Sequence, residues 1–563
     1  MLHVPERRRF LPSLVRALHL KERHFVVLQA ILMGMAGAAA ALLFESAASL
    51  VQYLCTGFWC GREACFAQLP PWERVMLPLL GALPAALVLG YALRRAKRPI
   101  PEYMEAFSLG NGRLPRRQGL LRSFSAVLSM GTGACIGKEG ALMQISAVAA
   151  SAAGRWLQVS APRLRLMVGC GATAGMTAAF HTPLAACLFV CEVVVGTFSV
   201  GHLGPLLVAG CAAYALLWLM GDTGALFASS VAVGSLSQVA LCAALGALMA
   251  LCGKLWVLAL NLARRLLNGR AAYLVPRMML AGLAVGAVAW WQPAVVGNGQ
   301  ESIAALLNGG MGIQEAALLL GLKALLIALT FGVGTMGGVL TPTLLLGALG
   351  GFVFGGLCGA GSPIPYALVG MAAFFAAASR APITALILVI ELTMDAALIF
   401  PLMVAVAVAY AVGRLLPVGS LYDVSTASDS PFENRLAAMR VREMMHRAPA
   451  VLHADTPAAL AERTLLLHAE EGVAVTDAAG RCLGMVTELR AGGNTVGDSL
   501  QPEVPVLSPE DDIPAALAVF SRMPVTQCLL PVAERESGRL LGVITRAELY
   551  QTAALLLRKE LSK

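Results

Sequence analysis

The sequence predicts an all-α polytopic membrane protein, built from two related halves with broken helices, followed by a smaller α/β domain. Three observations predict it. Of 563 residues, 58% are hydrophobic and only 13% charged, about half the charged share of an ordinary soluble domain. Apolar runs recur over 26–54, 76–93, 164–195, 206–219, 239–263, 278–291, 316–331, 368–375, 383–392 and 402–412. Several reach the ~20 residues that cross hydrocarbon, and others are too short to cross unbroken. Finally, one pattern returns at a fixed spacing: Gly171, Pro183 and Glu192 recur as Gly370, Pro382 and Glu391, each pair 199 residues apart. Each copy reads as a helix, a Pro-marked break and a second helix ending in Glu.

Charge sets the topology. Arg7, Arg8, Arg9, Arg16, Lys21 and Arg23 precede the first span, and Arg94, Arg95, Lys97 and Arg98 follow the second. By the positive-inside rule both clusters are cytoplasmic and the loop over 56–74 lies outside. The formal net charge of +9 is therefore topology, not a sign of nucleic acid. No cleavable signal peptide is read at the basic start. The expected location is an inner (plasma) membrane, multi-pass, with the N-terminus and the terminal domain cytoplasmic. Cys55, Cys60 and Cys65 cluster in the external loop. Two of the three can pair in an oxidising compartment, and the sequence leaves open whether any do.

The stretch over 130–144, Met-Gly-Thr-Gly-Ala-Cys-Ile-Gly-Lys-Glu-Gly-Ala-Leu-Met-Gln, organises the membrane block. It carries four glycines and a Lys138–Glu139 pair inside apolar sequence. The residues after Gly140 read as a helix from Ala141 to about Trp156. A helix start at membrane depth offers unpaired N–H groups and a positive dipole end, which suits an anion. Irregular backbone is tolerated there only in protein or beside a wet cavity, and an ionisable residue there marks function. The plain alternative is a solvated loop at the membrane edge. A phosphate loop fails on spacing, because Thr132 and Glu139 stand where Gly and Ser/Thr are required. A second glycine-rich break, Gly332-Val-Gly-Thr-Met-Gly-Gly-Val-Leu-Thr-Pro342, follows about 200 residues on, and interrupted segments at matching places point to a midplane site.

Composition changes near Gly419. Beyond it, Pro449-Ala-Val-Leu, a helix opened by Thr456-Pro457, Gly472-Val-Ala-Val and Gly484-Met-Val-Thr487 read β-α-β-β. Val504-Pro-Val-Leu, Ser508-Pro509, Gln527-Cys-Leu-Leu-Pro-Val and Gly542-Val-Ile-Thr545 repeat that order, with a longer hairpin around 534–539. The repeat resembles a pair of CBS modules.

With these pieces, the chain resembles the CLC family of chloride channels and proton-coupled chloride exchangers, and within it the bacterial ClcB-like branch. Gly137-Lys-Glu-Gly-Ala141, Gly337-Gly-Val-Leu-Thr-Pro342 and Leu421-Tyr422 look like three of its pore motifs. The resemblance implies that Glu139 is the gating carboxylate. It implies anion binding by backbone N–H groups of Lys138, Glu139, Gly140, Ala141, Val339 and Leu340, with the Tyr422 hydroxyl as inner donor. Oriented amides bind an anion yet let it leave. The family's inner serine would fall at Arg98, which either lines the inner mouth or is a plain topology charge. Its proton-delivering acid would fall at Val193, which carries no proton.

These readings divide the chain into a segment over 1–25, an anion-transport domain over 26–423 with halves at about 26–220 and 236–423, a linker over 424–440, and CBS modules over 441–495 and 496–557. The expected function is gated permeation of chloride and similar inorganic anions by a homodimer in the lipid membrane. The alternatives are a proton-coupled chloride antiporter and, more remotely, a CBS-regulated cation transporter, which needs a carboxylate ring that is absent. Enzyme chemistry is not expected, since eight histidines show no ligand spacing. No cofactor or metal is expected. An adenine nucleotide at the CBS pair has little support, with Arg490 and Glu548 at the two ribose-binding positions.

Overall fold

The structure is a computed structural model describing residues 22–95, 102–108, 112–157, 159, 161–196, 198, 200–221, 224–227, 235–267, 269, 273–359, 361–422, 439–448, 450–467, 472–489, 493–500, 504–521, 523 and 529–549. They gather into two compact units. The described residues within 22–103, 114–157 and 166–422 form the first, and those within 104–113, 159–165 and 439–549 the second. Arg98 with its motif over 97–101, the linker over 424–438 and Arg490 lie outside the described residues.

The first unit is helical. Its first half contains α1 (Glu22–Thr56), α2 (Arg62–Gln68), α3 (Pro71–Arg94), the start of α4 (Tyr103–Ser108), α5 (Arg116–Gly131), α6 (Glu139–Trp156), most of α7 (Ala161–Phe180), α8 (Pro183–Phe189) and α9 (Val200–Leu219). Its second half contains α10 (Leu236–Leu267), α11 (Leu274–Ala289), α12 (Gln300–Leu307), α13 (Ile313–Gly332), α14 (Leu340–Leu357), α15 (Ile364–Ser379), α16 (Pro382–Thr393) and α17 (Ile399–Leu415). Among the described residues seven helices are long and apolar enough to cross a membrane. The apolar run over 164–195 is not one of them. It is cut into α7, α8 and a π-turn (Val190–Val195), as its proline demands.

The internal repeat is reproduced down to single dihedrals. α7 stops before His181 at φ +59°, and α15 stops before Arg380 at φ +59°. Next come Thr182 at φ −120°, ψ 80° and Ala381 at φ −120°, ψ 75°. A proline then opens each new helix, where its missing N–H is not needed. Left-handed backbone at two non-glycine residues is uncommon, and here both ends of the repeat share it.

Each break is closed by the other half. The Glu192 carboxylate accepts from Ile383 N (3.3 Å), Thr384 N (2.8 Å) and Thr384 Oγ1 (2.7 Å), at the start of α16. The Glu391 carboxylate accepts from Leu184 N (3.1 Å) and Ala185 N (2.7 Å), at the start of α8. The acids satisfy N–H groups that a helix start leaves open and sit at its positive end. Elsewhere small residues let helices touch. A Cβ added at Gly347 in α14 would come 2.7 Å from Gly370 O in α15, and one at Gly370 would come 2.6 Å from Gly347 O.

The second unit includes α18 (Val441–Met444), β1 (Val451–His453), α19 (Ala458–Leu467), β2 (Val473–Thr476), β3 (Cys482–Val486), α20 (Ile513–Ser521), β4 (Leu529–Ala533) and β5 (Leu540–Thr545). β1 lies parallel to β2 across α19, and β2 antiparallel to β3. β4 and β5 form the second hairpin. Leu452, Ala461, Val473 and Val486 close one core, and Ile513, Phe520, Leu530 and Ile544 the other.

Two expected helix starts shift. Pro457 precedes α19 instead of being its first residue. Ser508-Pro509 opens a turn, with Asp511 N donating to Ser508 O (3.1 Å), and α20 begins only at Ile513. There Asp512 caps Ala515 N (2.8 Å), and Asp is a strong cap. The expected strand at 504–507 makes one bridge, Leu507 to Val532.

Candidate functional site

Two loops build the site. The first leaves α5 at Gly131 and enters α6 at Glu139; the second leaves α13 at Gly332 and enters α14 at Leu340. Each turns through a left-handed glycine, Gly133 at φ +93° and Gly334 at φ +92°, a conformation glycine adopts without strain. The loops then pair like two residues of a sheet. Gly137 N donates to Gly338 O (2.8 Å) and Gly338 N to Gly137 O (2.7 Å). Gly140 lets this happen, since a Cβ there would come within 3.2 Å of Gly337 O.

The pairing sets two helix starts side by side. In α6 the ladder opens with Leu142 N donating to Lys138 O, and in α14 with Thr343 N donating to Val339 O. The N–H groups of Glu139, Gly140 and Ala141 precede the first ladder, and those of Leu340 and Thr341 precede the second. Such groups have no intrahelical acceptor, and two dipoles add at the same place. Pro342 supplies no N–H. The α6 start differs from expectation: it falls at Glu139, not Ala141. The acid is thus the first helical residue, where negative charge is favoured.

Glu139 is 1% exposed. The Thr341 hydroxyl of the second loop donates to its Oε1, while its Oε2 is buried with no hydrogen-bond partner among the described residues. Lys138 turns aside to pair with Glu45 of α1. Its charge is compensated there. Tyr422 stands with its ring edge-on to Phe189 of α8, centroids 5.1 Å apart. The residues before it are fastened: Lys254 Nζ donates to Val418 O and Gly419 O (3.3 Å each), Arg380 Nη2 to Val418 O (2.8 Å), and Ser420 Oγ to Ser379 O (2.8 Å).

The structure brings Glu139, Gly140 and Ala141 together with Val339 and Leu340. It places Tyr422 against α8, and Val193 in the π-turn beside the capping Glu192. Sequence reasoning missed Thr341, Glu45, Lys254 and Arg380. Thr341 carried a signal, a hydroxyl beside Pro342 in the second loop. The other three join residues far apart in the chain and left none.

In the second module the Glu548 carboxylate is already engaged. It accepts from Thr545 Oγ1 (2.8 Å) and from Arg165 Nη2 (2.8 Å), a residue of the same compact unit, and lies 3.4 Å from His446 Nδ1. Burial pushes this carboxyl up. The hydrogen bond and charge of His446, with Arg165 and Thr545, outweigh burial and hold it below the usual range. These contacts already engage both oxygens of the carboxylate at the expected ribose-binding position.

Residues 80–414 match the family model described as voltage gated chloride channel, and 496–553 that of the CBS domain. A ClcB-like chloride channel protein of Ralstonia nicotianae is 36% identical over 403 residues, covering 69% of this chain and 94% of that protein. The voltage-gated ClC-type chloride channel ClcB of Escherichia coli is 32% identical over 378 residues, 64% of this chain and 89% of its own. Among solved structures, a slow cyanobacterial Cl⁻/H⁺ antiporter superposes with a TM-score of 0.62 at 22% identity, over 72% of this chain and 97% of the antiporter. At that identity the likeness speaks for the fold.

Proposed function

The chain belongs to the voltage-gated chloride channel family of membrane anion transport proteins, and on that premise we propose that it passes chloride and similar inorganic anions through a gated pore. The observation that carries the proposal is the pair of helix starts held together by Gly137 and Gly338, with Glu139 between them. Partial positive charge faces the place where the carboxylate lies. Ionised, Glu139 occupies that place and is held by Thr341; protonated, it gives up its claim and an anion takes over the N–H groups. Tyr422 guards the inner end. The pathway runs through each subunit of a homodimer, and the termini face the cytoplasm.

The channel is favoured over the exchanger by the chain's own residues. Exchange needs a proton station on each side of the pathway. Glu139 supplies one. The inner position is Val193, and its neighbour Glu192 is spent on the start of α16. A chloride gradient therefore drives little or no uphill proton movement. The experiment is a liposome carrying the full chain, with a chloride gradient, no proton gradient and the membrane potential clamped. Sustained proton pumping that scales with protein content and disappears in Glu139→Ala would reject the channel in favour of the antiporter.

A further inference from the structure

A second group of charges lies behind the first loop, and the anion path described above makes no use of it. α2 is fastened at its start by the Cys60–Cys65 disulfide, which leaves Cys55 as the free third cysteine of that loop. The fully buried Phe66 of α2 packs at the back of Gly133: a Cβ there would overlap its ring and come within 3.0 Å of Val296 Cγ1. So α2 and the turn at 295–297 together back the loop that carries Glu139. α13 grips that loop as well, through Thr330 Oγ1 donating to Cys135 O (3.0 Å).

Lys323, two turns earlier on α13, ties these pieces. It is 0% exposed. Its Nζ donates to Val296 O (3.0 Å) and Gly297 O (3.4 Å), and stands 3.7 Å from Glu63 Oε1 of α2. Glu63 Oε2 accepts from Ser302 Oγ of α12 (2.6 Å), while Oε1 is buried and, among the described residues, faces the Lys323 ammonium alone without a hydrogen bond at normal distance. The other groups facing Glu63 are Glu301 on α12, whose carboxylate accepts from Ala64 N (3.2 Å), and the Cys135 thiol of the loop, while the neighbouring Arg62 faces Glu45, Glu301 and Glu139 instead. A buried ammonium needs a compensating charge, and Glu63 is the one paired with it.

We propose that Lys323 and Glu63 are positioning residues for the first loop, and that their net charge sets how readily an anion enters beside it. The proposal deepens the anion-pathway reading and rests on it. With Glu63 ionised the pair is neutral. With Glu63 protonated, the Val296 and Gly297 carbonyls still take the Lys323 ammonium, and the pair is net positive behind the loop. A positive potential there raises local anion occupancy. Burial pushes the Glu63 carboxyl up to about 7, against the pull of Lys323 and Ser302. The change therefore falls in the neutral range: neutral pair above it, net positive below.

The test uses the full chain in liposomes, with Glu139→Gln to remove the gate's own titration, and follows chloride efflux with the same pH on both faces. Efflux is expected to rise about two- to fivefold as pH falls through neutral, the scale of one partly screened charge. Adding Glu63→Gln, which keeps the shape and the Ser302 contact, should hold efflux at the high level at every pH. Lys323→Met should lower that level, and Lys323→Arg should restore most of it. A profile that is flat before Glu63 is changed, or one that Glu63→Gln leaves intact, overturns the proposal. If the unaltered protein and all variants pass no more chloride than empty liposomes, the pathway reading itself fails. That outcome is distinct from variants that conduct alike.

Discussion

The two loops of the membrane unit share a backbone course, and only the first carries an acid at its helix start. Both turn at a left-handed glycine, both pair through a single glycine, and both open a helix at the same point. Gly137 pairs with Gly338, 201 residues on, and Glu139 at the same spacing corresponds to Leu340. The repeat thus builds a symmetric cradle of dipoles, and one acid makes it asymmetric. The paired helix starts belong to both halves, whereas the acid belongs to the first.

The sharpest way to break this comparison is Glu139→Ala or Glu139→Gln. Either removes that acid, and chloride efflux should change by about tenfold or more, with the gate's own pH dependence gone and only the rise of about two- to fivefold ascribed to Glu63 left. That is the scale of losing a charge-assisted hydrogen bond of roughly 1.5–3 kcal/mol. Efflux and pH profile matching the unaltered protein would remove Glu139 from the gate. Gly338→Ala attacks the shared part instead. A Cβ there would come 2.7 Å from Gly140 N and 2.9 Å from Glu139 Oε2, so efflux should collapse while the purified protein keeps its helix content by circular dichroism. Thr341→Val sharpens the link between the halves. The ionised gate loses its one side-chain donor, and efflux at neutral pH should rise several-fold, on the scale of one hydrogen bond to a charged group. Unchanged efflux in that variant would show that the second loop does not hold the gate.

The reciprocal caps carry the smallest expected effects. Glu192→Gln and Glu391→Gln should each cost about 0.5–2 kcal/mol of stability, as lost helix caps do. Both should show in thermal unfolding, Glu192→Gln the more because its carboxylate also takes the Thr384 hydroxyl, and neither should alter proton movement. A loss of coupled proton movement confined to Glu192→Gln would mean that this acid does more than cap.

Much of this was legible in the chain. The 199-residue spacing of Gly, Pro and Glu announced the break that appears at His181 and Arg380 with identical φ, because proline and an end-of-helix acid leave local marks. The CBS-like repeat was legible for the same reason, through strand alternation and turn residues. Where sequence reading slipped, several local signals competed. Ser508-Pro509 looks like a helix opening, yet Asp511 and Asp512 follow and Asp512 takes the cap. What was not legible is what folding alone creates. Lys138 meets Glu45 across 93 residues, and Lys323 reaches the carbonyl of Val296 across 27 and the carboxylate of Glu63 from much farther. No periodicity encodes such a meeting. A lysine in an apolar helix reads simply as a charge in need of a partner, and only the packed structure supplies the partner's name.

The exchange of caps between Glu192 and Glu391 also bears on ancestry and assembly. If the halves were once two copies of one shorter chain, a single acid and a single helix start would have made both bonds by symmetry. One substitution in that ancestor would have undone both at once. Joined in one chain, each bond is encoded separately, so either half is free to drift while the other holds. The same exchange means that neither half leaves synthesis complete. The start of α8 waits, uncapped, until Glu391 has been made about 200 residues later, so the first half stays unfinished until the second arrives.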